Sequence, residues 1–307
     1  MINEYFIEPT VLYSLIESPE YRTLFLAEFG IGTPRFLSSF PYEKKSKLKS
    51  SLMRNMPDRL QGKARIIATE SIIQLCQNVI KREPAGQLKD LDIDWIGKAQ
   101  IEDNKLPPDL VITIDDFPEK PHWLGQKDLL PLKSLWDHKT QLTVKRNAND
   151  LSSAVSKLLR YSNEIRICDR FLYKANGIKS LQEFFIQLKS NRLNDDNVQL
   201  TLMFDHSKSN VPYVQDKITE SLSSLDLDFN VNIEIMALTD KDGGEWLHHR
   251  YVITELGSIS FLGGMDEGKV GQTDTLHLSD VDGYIDVKAK YWNAEAFEII
   301  DRSSFQL

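Results

Sequence analysis

The segment Trp246 to Gly268, W-L-H-H-R-Y-V-I-T-E-L-G-S-I-S-F-L-G-G-M-D-E-G, gathers the residue types best suited to phosphate chemistry. A neutral imidazole such as that of His248, held on a rigid strand, can attack phosphorus and form a covalent intermediate. A second histidine can protonate the leaving oxygen. Arg250 can stabilise charge on the non-bridging oxygens, and its planar fork suits a bidentate phosphate contact. Arginine does not replace lysine freely where a compact point charge is needed. Glycines let backbone N–H groups come close to the anion.

The elements that would position this segment are regular. Leu151, Val155, Leu158 and Leu159 predict a helix after a cap signal at Asn149-Asp150. EIRICD (164–169), VQLTLMF (198–204) and NVNIEIMAL (230–238) predict strands, with helices over Ile178 to Leu188 and Tyr213 to Leu225 between them. RYVIT (250–254) and SISFLGG (258–264) predict two further strands. A last helix, Tyr291 to Ile300, is expected to pack on the sheet. Strands alternating with helices of this length predict a layered α/β domain.

The first 130 residues read differently. Thr10 to Ile16, Glu20 to Phe29 and Ala64 to Lys81 predict helices, the last with Ile72, Ile73, Cys76, Val79 and Ile80 on one face and an end at EPAGQ (83–87). DLDIDWIG and DLVITIDD predict short strands. Residues 117–135 are rich in Pro, Gly and Lys and read as connecting segments. The expectation is a mixed, mostly helical α+β domain over 1–130, a boundary between 117 and 142, and an α/β domain over 143–307.

Composition bounds the function. The 307 residues are 41% hydrophobic and 27% charged, ordinary for a globular chain, with a formal net charge of −8. Residues 1–142 carry a net −1 and residues 143–307 a net −7. The acidic half is a poor platform for sequence-independent DNA binding, which rests on neutralised phosphates. The basic stretch Glu43 to Arg65 offers nucleic-acid contacts at Lys44, Lys45, Lys47, Lys49 and Arg54, or is a solvated face. Cys76 and Cys168 sit in apolar stretches and read as buried thiols. MINEYFIEPT lacks the features of a signal peptide, and no apolar stretch approaches the roughly 20 residues that span a bilayer, so a cytoplasmic location is expected. Asp274, Asp280, Asp282 and Asp286 match no Ca²⁺ loop and read as acidic surface. Trp95, Trp123 and Trp136 read as core or interface anchors.

The Trp246–Gly268 segment resembles the phospholipase D superfamily signature: a strand opened by His, any residue and Lys, an Asp four residues later, then a hairpin to a Gly-Ser-x-Asn turn. Here His248 stands for the His, Arg250 for the Lys and Glu255 for the Asp, and Gly263-Gly264-Met265-Asp266 falls on the turn. The run Ile165 to Leu172 resembles the superfamily's opening strand, with Asp169 either at the site or capping its loop. The His-x-Arg variant is similar to the lobe found C-terminal to MIT domains, whose members are thought to bind phospholipid. The resemblance implies His248, Arg250 and Glu255 as catalytic residues, phosphate held by Gly263, Gly264 and Asp266, and no metal or cofactor. The family's enzymes use two motifs. His206-Ser207-Lys208 has the bare spacing but lacks the partner residues, so one motif would work as a homodimer or with a partner. The expected function is that of a metal-independent nuclease-like phosphodiesterase, in the setting of bacterial defence or mobile elements that such lobes imply. The alternative is an inactive scaffold subunit that recognises a phosphate ligand or a partner such as an ATPase.

Overall fold

The computed structural model describes residues 1–83, 88, 91–129, 139–190, 192, 197–223, 225 and 230–306. The chain divides into two compact units, Ile2–His138 and Lys139–Leu307, the latter with Met1. No helix among the described residues is long and apolar enough to cross a membrane.

The first unit is built on four short parallel strands, β1 (Asn3–Ile7), β2 (Arg35–Leu37), β3 (Leu110–Thr113) and β4 (Trp123–Gly125), in the order β2-β1-β3-β4. Parallel pairing demands crossover connections. Helices supply them: α1 (Pro9–Glu17), α2 (Pro19–Glu28), α3 (Lys45–Arg54), α4 (Lys63–Leu75) and α5 (Trp95–Lys105), with the short α6 (Gln126–Leu129) after β4. The unit is therefore a layered parallel α/β arrangement rather than α+β.

Three local expectations are corrected. DLDIDWIG forms no strand: Asp94 caps a helix by accepting from Gly97 N at 2.8 Å, and Trp95 begins α5. The α4 helix stops at Leu75, and Ile80 instead bridges Ser38 beside β2. Ile73 is accordingly exposed while Ile72 and Ile80 are buried. The stretch 117–135 contains β4 and α6, and its residues 130–135 lie outside the described residues, as do most of EPAGQ and Trp136. Trp123 is buried in a core cluster with Phe6, Phe40 and Val111, against which Trp95 packs.

The second unit carries an eight-stranded sheet: β5 (Gln141–Lys145), β6 (Glu164–Cys168), β7 (Val198–Asp205), β8 (Val231–Asp240), β9 (Tyr251–Thr254), β10 (Gly257–Phe261), β11 (Thr273–Leu278) and β12 (Phe297–Gln306), in the order β12-β8-β7-β6-β9-β10-β11-β5. Strands β6, β7 and β8 are parallel. Every other pairing is antiparallel. The parallel strands are joined through α8 (Ala175–Lys189) and α9 (Val211–Leu222), and α7 (Ala148–Tyr161) precedes β6. Alternation explains the layering. Ile165 and Ile167, Leu200 and Leu202, and Ile233 and Ile235 are all buried, and residues two apart share a face.

Here too the ends differ from expectation. The cap of α7 is Asn147, whose side chain accepts from Asp150 N at 2.8 Å. Residues 297–300 begin β12, an exposed edge strand, not a helix. The helical turns lie earlier, in α10 (Val281–Val287) and a π-helical turn over Lys288–Trp292. Both cysteines are buried and unpaired with each other.

One buried charge cluster ties the first unit together. Arg82, 1% exposed, donates Nε to Glu4 Oε1 (2.9 Å) and Nη2 to Glu4 Oε2 (2.7 Å), and Nη1 to Glu102 Oε1 (2.8 Å) and Leu106 O (2.8 Å). Removing one member of a buried set leaves the others charged and unsolvated. Arg82→Ala is expected to destabilise this unit by about 3–5 kcal/mol, read as a lower urea midpoint. A change below about 1 kcal/mol would show that the two glutamates find other partners.

Candidate functional site

The parallel strands β6, β7 and β8 end together, at Cys168, Asp205 and Asp240. In open α/β sheets ligands bind outside the carboxyl ends of such strands. Strand β9 runs antiparallel to β6 with Tyr251 opposite Cys168, so Arg250 enters the sheet at that same edge. The β9–β10 hairpin returns there, and Phe261 N donates to Arg250 O at 3.0 Å. Strand β11 carries the pairing on to β5, which brings Arg146 to the same edge; Arg146 N donates to Gln272 O at 2.9 Å.

These returns converge on the turn Gly263-Gly264-Met265-Asp266. Gly264 has φ +112°, a conformation that favours glycine. A Cβ there would lie 2.8 Å from Asp266 Oδ1 and 3.2 Å from Arg146 Nη2, with Arg250 Nε at 3.7 Å. Two arginines therefore flank a turn that only glycine fits.

The carboxylates around the turn are engaged in holding it. Asp274 Oδ1 accepts from Gly263 N (2.7 Å) and Thr275 N (2.7 Å). Asp169 accepts from Phe171 N at 2.8 Å and Met265 N at 3.1 Å. Asp266 binds Arg146 through Nη2 at 2.5 Å, and its carbonyl takes Arg146 Nε at 3.1 Å. Arg250 is different. It is half-buried, its Nε is shielded from solvent with no hydrogen-bond partner among the described residues, and it forms no ion pair among them. A buried donor without an acceptor is costly, roughly 1–3 kcal/mol.

The residues expected from sequence fall into three places. Arg250, Gly263, Gly264 and Asp266 are brought together, though Asp266 holds Arg146 and does not point a free group at a ligand. His248 lies in the exposed loop before β9. Its N–H donates to Trp246 O at 2.6 Å, and its ring stacks on Trp246, itself 68% exposed, with centroids 6.0 Å apart. The His248 ring also meets the His249 ring at 6.1 Å, and no hydrogen bond, ion pair or ring contact joins it to Arg250 or to the glycine turn among the described residues. His249 turns to Glu245 at 3.5 Å, in a separate cluster where Lys290 links Glu245 and Asp286. Glu255 stands at the far end of β9, where its carboxylate accepts from Asn163 N (2.9 Å) and Glu164 N (3.3 Å). It lies five positions from Arg250, across the four residues of β9, about 16 Å away. It anchors the start of β6 rather than the phosphate edge.

Lys44, Lys45, Lys47, Lys49 and Arg54 belong to the other unit, at and along α3. Lys49 is half-buried and the others exposed. Lys47 pairs with Glu43 at 3.8 Å. His206-Ser207-Lys208 is a 3-10 turn capped by Asp205 and exposed. Asp280 caps α10, accepting from Gly283 N at 2.8 Å, and Asp274 is buried at the turn, so the acidic stretch is not one surface.

Sequence reasoning missed Arg146, Asp274 and the Arg170–Asp205 pair, which meets at 2.8 Å beside Asp169. A cation just before a helix cap was the available signal for Arg146. The strand β11 that carries Asp274 was not recognised.

No family model matches the chain, and no curated protein matches it. Among solved structures it is similar to TrmBL2, an archaeal chromatin protein described as showing a novel mode of DNA binding. That alignment covers 72% of each chain at 12% identity with a TM-score of 0.28, too loose a likeness to carry an argument.

Asp169 gives the site a pH signature. Burial pushes its carboxyl above the ordinary aspartate value, against the Phe171 and Met265 N–H groups and the Arg250 guanidinium, which pull it down. A raised native pKa means that the native state holds the proton more tightly than the unfolded chain. The stabilisation from that proton is complete below the unfolded value, about 3.9, and is lost as pH rises through the native one. Asp169→Asn keeps an acceptor but cannot ionise. Its stability relative to wild type is expected to rise with pH from about 4 upward and then level off, measured by urea unfolding across pH. A pH-independent difference would contradict the burial effect.

Proposed function

We propose that the second unit is a phospholipase D-like lobe that recognises a phosphate-bearing ligand at Arg250 and the Gly263–Gly264 turn. One observation carries the reading. Arg250 faces the glycine turn with its Nε buried and without an acceptor among the described residues, and it forms no ion pair among them; Arg170, whose Nε is likewise without an acceptor, is paired through Nη2 with Asp205. Arg146 is neutralised by Asp266, Asp169 accepts from two backbone N–H groups, and Asp274 accepts from two through Oδ1 while its Oδ2 is buried without a partner among the described residues. A phosphate oxygen between Arg250 and the turn would satisfy the orphaned donor, and a charge-assisted contact of this type is roughly twice as strong as a neutral one. The strand order supports the fold part of the reading: three parallel strands, then an antiparallel hairpin whose first strand opens on His-x-Arg and whose second leads into the glycine turn.

Binding is favoured over catalysis because His248 is held by Trp246 and not by the phosphate edge. A second reading, a metal-independent phosphodiesterase acting as a homodimer or with a partner, draws on one fact: His248 lies two residues from Arg250 in an exposed loop, where another chain could complete the site.

Titration with pyrophosphate and a short oligonucleotide, followed by calorimetry, tests the reading. Arg250→Ala is expected to weaken binding about tenfold or more, while His248→Ala leaves it within about twofold. Equal affinity of wild type and Arg250→Ala would refute the phosphate site. Metal-independent cleavage in EDTA that His248→Ala abolishes would replace binding by the phosphodiesterase reading.

A further inference from the structure

A groove of about 530 Å³ opens between the start of α8 and the first turns of α9. Tyr173, Lys174, Ile178, Tyr213 and Lys217 line it. The volume lies within the range of small-ligand pockets, roughly 300–1,000 Å³.

One wall of the groove is aromatic. Tyr173 donates its hydroxyl to Lys208 O at 2.8 Å, and its ring meets Phe204 edge-on at 6.1 Å. Tyr213 stands edge-on to Tyr173 at 6.4 Å and is 49% exposed. Lys174 lies over the Phe171 ring at 3.9 Å, and Lys217 pairs with Glu220 at 2.9 Å on the far side. Tyrosines lose little entropy on binding and offer a π-face to a planar ring. Of the two lysines, Lys174 flanks the aromatic wall and suits a ring that carries phosphates, whereas Lys217 is paired with Glu220, which also lines the groove.

One segment links the groove lining to the phosphate edge. The segment from Asp169 to Asn176 runs between them. Asp169 holds Met265 of the glycine turn, Arg170 pairs with Asp205, and Asn176 O accepts from Glu267 N at 3.4 Å just beyond the turn. Tyr173 lies midway along this segment.

We propose that this groove takes a base of a single-stranded nucleic acid whose backbone phosphate is held at Arg250. The proposal rests on the phosphate reading above. The net −7 of residues 143–307 argues that stacking, and not general electrostatic attraction, supplies this grip.

The test measures binding of the full chain to labelled octamers by fluorescence anisotropy: deoxythymidine, uridine and an abasic deoxyribose-phosphate chain. The two base-bearing octamers distinguish a DNA from an RNA source. Tyr213→Ala is expected to weaken at least one base-bearing octamer about tenfold and to leave the abasic chain unchanged. Tyr213→Phe, which keeps the ring, is expected to restore the affinity. Arg250→Ala is expected to weaken all the octamers that bind. An unchanged affinity in Tyr213→Ala, an equal loss on the abasic chain, or a wild type that binds base-bearing octamers no better than the abasic one overturns the groove. If Arg250→Ala leaves binding intact while Tyr213→Ala abolishes it, the phosphate reading fails and the stacking surface alone stands.

Discussion

The antiparallel pairing of β9 with β6 is the constraint on which the second unit's chemistry depends. With Cys168 opposite Tyr251, the residues just outside the pair, Asp169 and Arg250, are brought to one sheet edge although they are far apart in sequence. Had β9 continued the parallel order of β6, β7 and β8, Arg250 would open at the opposite edge, away from the carboxyl ends where helices and loops leave a crevice. The hairpin then sends its return strand to the same edge, and β11 and β5 add Asp274 and Arg146. Four consecutive antiparallel pairings thus concentrate polar side chains from across the lobe around one glycine turn.

The division of labour around that turn follows from hydrogen-bond satisfaction. A turn that approaches two arginines presents backbone N–H groups that need acceptors in a buried setting. Asp274 and Asp169 supply them, at 2.7 and 3.1 Å. Asp266 neutralises Arg146 at 2.5 Å. Arg250 Nε, Arg170 Nε and Asp274 Oδ2 remain shielded from solvent without a hydrogen-bond partner among the described residues, and of the two arginines Arg250 is the one without an ion pair among them. The proposed anion site rests on this under-coordinated guanidinium beside Gly264. Protonation of Asp169, favoured by its burial, would make the same site more receptive to anions.

The sequence was most legible where one period ran uninterrupted. The strands at 164–169, 198–204 and 230–238 and the helices between them rest on apolar positions that repeat every two or every three to four residues, and burial follows those positions. It was least legible at edges. β12 is exposed along most of its length, its Ile299 and Ile300 included, so its apolar positions do not mark a buried strand face. β5 is likewise an exposed edge strand. Asp94-Trp95 read as part of a strand because the cap that starts α5 rests on a single side-chain hydrogen bond. Within the site, the spacing of Arg250, Gly263 and Gly264 carried the correct neighbourhood. It could not show that His248 turns to Trp246, because a tight turn at 246–248 breaks the alternation that would have set both side chains on one face. Nor could it show Arg146, which reaches the turn through two strand pairings and no local pattern. Glu255 matched a position in the motif, yet its work is to hold the start of β6.

The central claim is that an anion sits between Arg250 and the Gly263–Gly264 turn. Crystals soaked in tungstate, with the metal located by anomalous scattering, test it most directly. An ordered tungstate is expected within hydrogen-bonding distance of the Arg250 guanidinium and beside Gly264, lost in Arg250→Ala crystals. Tungstate bound elsewhere in the lobe, with the space between Arg250 and Gly264 left without it, would contradict the account.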